Sequence, residues 1–177
     1  MRTIKFLFIG IFAFCFQVNG QAPQNISFYL SNKQISKTAI DYYNGKFRAT
    51  DDDKTLSILD SLKTKNELTR PFYIYLTSRM INQSDGALSE ALGEACSELL
   101  EYHPDFAIDF LFSGSKMVQK RFISDWAKII AGDFMITCEE KVKQCVRKAL
   151  QQSLGKTKLA NKQKLKQLYI QIENYCH

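Results

Sequence analysis

The sequence predicts an all-helical fold of about eight helices packed as antiparallel hairpins, and three observations carry that expectation. Only three prolines and eight glycines punctuate 177 residues. Apolar residues recur mostly at spacings of three and four, the period of a helix face. No pair of alternating stretches bounded by turn residues suggests a strand hairpin.

Each element follows from its own start and stop signals. Ser31 opens a first helix that runs to about 44, with Ile35, Ala39 and Tyr42 or Tyr43 on one face, and the stretch 45–50 ends it. Thr50 is the expected cap of the next helix, whose first turn holds Asp51, Asp52 and Asp53, carboxylates suited to the positive end of a helix dipole. Leu56, Leu59 and Leu62 form its expected buried stripe. A turn over 66–69 leads to Pro71, which fits the first turn of a helix continuing through Leu76 and Met80 to Gln83.

Ser84 or Asp85 starts a strong helix over Gly86–Tyr102 with Leu88, Leu92, Ala95, Leu99 and Tyr102 inward. Pro104 breaks the chain, and a short apolar helix spans 105–112 before Ser113 and Gly114. Another helix starts at Ser115 and buries Met117, Val118, Phe122, Trp126, Ile129 and Ile130. Thr137 with Glu140 matches a capping box, which predicts a helix over 138–154 stopped by Gly155. The last helix spans 158–175, with Leu165, Leu168, Tyr169 and Ile172 inward.

This arrangement resembles the helical-hairpin solenoids of HEAT or armadillo type in architecture only, because no residue pattern repeats at a fixed period. An irregular bundle is the alternative. Tyr102-His103-Pro104-Asp105 resembles the loop motif of J-domain co-chaperones, and Asp41-Tyr42-Tyr43 resembles the opening of such domains. That resemblance covers those few residues. The two motifs stand about twice as far apart as in that family, and the helix before His103-Pro104-Asp105 carries four glutamates where the family's is basic. The local reading is a helix end at His103 and Pro104 with Asp105 as the next N-cap.

Residues 1–20 have the three-part layout of a secretory signal: Arg2 and Lys5, an apolar run over 6–16, then a short polar stretch ending at Gly20. The run is too short to span a membrane, and no transmembrane segment is expected in residues 21–177, which form one domain. The expected location is periplasmic or extracellular. Cys96, Cys138, Cys145 and Cys176 remain after cleavage, an even number suited to an oxidising compartment. On a continuous helix Cys138 and Cys145 lie about 10 Å apart along the axis, too far to bridge. Antiparallel packing of the last two helices places Cys138 opposite Cys176, so a Cys138 to Cys176 disulfide is expected.

Few residue sets carry chemistry. Glu90, Glu94, Glu98 and Glu101 share one face of the 86–102 helix, opposite its leucines. From Cys138 onward the net charge is +6, and Lys156, Lys158, Lys162, Lys164 and Lys166 gather about the last hairpin, where an anionic membrane surface is a candidate peripheral contact. No phosphate loop, nucleophile elbow or dinucleotide fingerprint appears, and the two histidines and unspaced cysteines suggest no metal centre and no cofactor. Nucleic acid is not expected, since no aromatic residues separate those lysines. The expected function is a non-enzymatic binding or scaffold protein whose partner is a protein or peptide of the cell envelope. The alternative is a hydrolase using carboxylates of the 86–102 helix.

Overall fold

The computed structural model describes residues 25–64 and 66–176, and the expected signal segment lies outside them. Among the described residues there are nine α-helices and no strand. They are α1 (Ile26–Ser31), α2 (Lys37–Tyr43), α3 (Asp53–Asp60), α4 (Arg70–Ile81), α5 (Gly86–Tyr102), α6 (Pro104–Leu111), α7 (Phe122–Thr137), α8 (Val142–Lys156) and α9 (Lys162–Tyr175). Short 3-10 turns over Ser61–Lys63, Glu139–Lys141 and Leu159–Asn161 join some of them.

The helix expected from Ser31 begins only at Lys37, and an unexpected helix, α1, ends at Ser31. Ser36 adopts an extended conformation and its hydroxyl accepts the Ala39 N–H, so a new helix begins where a continuous one was expected. Asn32 accepts from the Gln34 N–H in a local turn that competes with helix continuation. Asp52, rather than Thr50, caps α3 by accepting the Thr55 N–H at 2.9 Å. At the other break, His103 takes the N-cap position of α6 and Pro104 is its first residue, which leaves Asp105 inside the first turn. The chain from Ser115 to Arg121 forms turns in which Ser113 and Ser115 bond neighbouring N–H groups, so α7 starts at Phe122.

Helix α7 is the axis of the molecule. It packs between α5 and α9 and also touches α4 and α8. Its residues Phe122, Trp126, Ala127, Ile130 and Ala131 are buried, and Trp126 Nε1–H donates to Ser78 Oγ at 2.8 Å. The row α5, α7, α9 has the every-second-helix neighbours of stacked hairpins, but α8 also packs on α5 and α6 reaches α9, which closes the arrangement into a bundle. Gly93 sets the α5 to α7 distance, because a Cβ there would stand 3.0 Å from Asp133 Cβ and 3.1 Å from the Ile129 carbonyl oxygen. Gly93→Ala is expected to lower stability by about 1–2 kcal/mol, the overpacking cost exceeding the gain in helix propensity of up to about 1 kcal/mol. Urea unfolding of the variant checks this, and a midpoint above the wild type refutes it.

Helices α8 and α9 are antiparallel, as Arg147 paired with Glu173 at 3.0 Å and the Ser153 and Tyr169 hydroxyls at 3.2 Å show. The hairpin tip is fastened to α6: Asn161 Nδ2 donates to Asp105 and Asp109 at 2.8 Å each, and Lys158 pairs with Asp109 at 2.7 Å.

The expected Cys138 to Cys176 disulfide is corrected. Cys138 bridges Cys145, with their Cα atoms 6.4 Å apart. The premise of a continuous helix fails here, because Thr137 ends α7 with its hydroxyl donating back to the Asp133 carbonyl at 2.9 Å instead of capping a new helix. Glu139 turns the chain at φ 47°, and α8 begins only at Val142. That turn shortens the reach from Cys138 to the first turn of α8. Cys176 is a buried free thiol whose S–H donates to the Ile172 carbonyl at 3.2 Å, and Cys96 is buried in the core. Burial pushes both thiols up from their ordinary pKa.

Candidate functional site

A surface depression runs along α5 beside α3, and it is lined by Ala95 and Tyr102, which were expected inward but are half-buried and 57% exposed respectively. Ala91, Ala95, Leu99 and Tyr102 are spaced i, i+4, i+8 and i+11, so they lie along one side of the helix, and the two alanines leave a trough between larger neighbours. The opposite wall is α3 and the 3-10 turn that follows it, through Leu56, Leu59, Leu62 and Lys63. Leu56, expected in the buried stripe, is 37% exposed, and Ile58 takes the inward position instead. The trough consists of two adjoining hollows of about 220 and 190 Å³ that share Lys63, Ala95 and Glu98.

The wall beyond α3 is held by Arg70, the first residue of α4. Its Nε–H donates to the Thr64 carbonyl at 2.8 Å, its Nη2 bonds the same oxygen, and its guanidinium stacks 3.4 Å from the centre of the Phe106 ring. This fixes the chain just after Lys63 and therefore fixes where Lys63 projects. Lys63 Nζ meets Glu98 at 2.8 Å, and that carboxylate holds the ammonium pKa above its ordinary value. The floor is apolar, while Asp60, Glu94 and Glu98 form an acidic rim around Lys63. At the far end Lys156 Nζ sits 4.8 Å over the Tyr102 ring and donates to the Glu101 carbonyl at 2.8 Å.

The four glutamates expected on one face are therefore divided. Glu94 and Glu98 border the groove, whereas Glu90 lies beyond it in a separate cleft of about 470 Å³ between α4, α5 and α7. Glu101 is half-buried at the end of the helix, and none of the four is buried. The second cleft also holds Asp125, Lys128 and Asp133, with Asp125 accepting from Asn82 Nδ2 at 3.1 Å. Among the described residues no three His, Cys, Asp or Glu side chains converge on a point that could hold a metal ion.

The lysines of the last hairpin do not form one free patch. Lys156 turns toward α5 and Lys158 toward Asp109, with its N–H on Asp105, while Lys162 and Lys164 are half-buried and Lys166 is exposed. Leu159 at the tip is 85% exposed, and Asn161 two residues on binds Asp105 and Asp109. Among the described residues no helix is long and apolar enough to cross a membrane.

Lys63, Asp60, Ala91 and Ala95 were not foreseen as site residues. The alanine pair at i and i+4 within a leucine-rich helix was the available signal. It has no meaning until α3 is known to lie beside it. Comparison with protein-family models, curated proteins and solved structures finds no match to this chain.

Proposed function

We propose that this is an exported, non-enzymatic binding protein that holds a segment of a protein partner in the groove between α3 and α5. The observation that carries the reading is a trough with an apolar floor and charged rim on a rigid helical scaffold, the form in which such surfaces recognise peptides and helices. The signal-like layout of residues 1–20 and the Cys138 to Cys145 bridge support export to an oxidising compartment of the envelope or outside the cell. The hydrolase alternative called for an inward-facing carboxylate pair on α5, and the surface positions of its glutamates lend that reading no support.

Native mass spectrometry of the protein purified gently from its host's envelope and medium tests the proposal, with Ala95→Phe as the blocked control. A stoichiometric partner on the wild type that is absent from Ala95→Phe supports it, provided circular dichroism shows both folded. A partner retained by the blocked variant overturns the groove as its site.

A further inference from the structure

We propose that the groove takes a basic amphipathic helix, and that Lys63 occupies at Glu98 the place a ligand ammonium or guanidinium takes on binding. The proposal rests on the groove being the binding site and adds the chemistry of its occupant.

Shape favours a helix. From Ala91 to Tyr102 the floor extends about 16 Å, three helical turns at 1.5 Å per residue. A ridge of side chains at i, i+3 or i+4, and i+7 matches that length. The groove walls are helix and 3-10 turn, so an extended peptide would find no edge strand with which to pair its N–H and C=O groups. A helix brings those groups already satisfied.

Charge selects its sign. Asp60, Glu94 and Glu98 border the trough, and among the described residues Lys63 is the one lysine or arginine on its walls, with Lys156 confined to the Tyr102 end. Lys63 reaches from the α3 side to α5 between the two hollows, so it lies as a bar across the middle of the trough. The pair is exposed, at 61% for the Lys63 side chain and 35% for Glu98, and an ion pair so placed is weak in water. A ligand lysine or arginine can replace it with little loss, and the swing of Lys63 joins the two hollows into one.

The test is titration of the full chain with two synthetic 14-residue helices that share a leucine stripe, one flanked by lysines and the other by glutamates. The lysine-flanked peptide binds the wild type, loses affinity as salt rises, and loses it again on Glu94→Gln with Glu98→Gln. Lys63→Met tightens its binding by up to about fivefold, the ceiling set by a surface ion pair. Ala95→Phe abolishes binding. Equal binding of the two peptides, weaker binding by Lys63→Met, or undiminished binding by Ala95→Phe overturns the proposal. Concentration-dependent dimerisation that Ala95→Phe abolishes also overturns it, since the occupant is then a second copy. If the host partner is lost with Ala95→Phe while the lysine-flanked peptide fails to bind, the groove remains the site and only the basic helix is rejected. If the host partner survives Ala95→Phe, both readings fall together.

Discussion

Trp126→Ala is expected to lower stability by about 3–5 kcal/mol, the range for emptying a large aromatic site in a packed core. For a chain of this size that corresponds to a fall in Tm on the order of 10 °C or more. The reason lies in its position. Trp126 is fully buried on α7, the helix that touches α4, α5, α8 and α9, so the cavity would open at the junction of most of the bundle. Its indole N–H also donates to Ser78 Oγ, which itself donates to the Ile74 carbonyl at 2.8 Å, tying α7 to α4. Trp126→Phe keeps most of the apolar volume and leaves Ser78 its own bond, so its cost is expected near 1–2 kcal/mol, that of a lost buried hydrogen bond with imperfect filling. Thermal unfolding followed by far-ultraviolet circular dichroism measures both. An alanine variant less than about 1 kcal/mol below wild type would show that α7 is not the axis of the core.

Removing the disulfide has the next largest expected effect. The Cys138 to Cys145 bridge closes a loop of eight residues, counting both cysteines. Chain-entropy reasoning gives about 2.5 kcal/mol for a loop of that size. The double variant Cys138→Ser with Cys145→Ser, or the wild type under a strong reductant, should unfold correspondingly earlier in urea. The slope of the transition should change little, since the loop is short. Trypsin cuts after Lys141 and Lys143, so non-reducing digestion should yield two peptides joined by the bridge. Cys96 and Cys176, both buried, should react with a thiol reagent only after unfolding. A peptide joining Cys138 to Cys176 would overturn the pairing.

The junction that carries this bridge shows where local reasoning stops. Thr137 and Glu140 have capping-box spacing, yet the same threonine hydroxyl bonds equally well to a carbonyl one turn back, and it does so at the end of α7. The two placements differ little in local energy. Packing decides between them, through Val146 buried on α8 and the partly buried Phe134 on α7. The Gly86–Tyr102 helix presents the opposite case. Glycine at its start, proline just beyond its end and a leucine stripe through its length agree with one another, and its bounds were legible directly.

By itself the sequence determined the helical class, the α5 helix with glutamates on its outer side, and the antiparallel pairing of the last two helices. These follow from periodicity and chain breakers, which act over a few residues. The tertiary structure alone decided which cysteines meet, which glutamate faces Lys63, and that Ala91 and Ala95 form the floor of a groove. Each of these depends on how separate segments come to rest against one another. The Arg70 clamp on the Thr64 carbonyl sets that position for the groove, and the turn at Glu139 sets it for the disulfide.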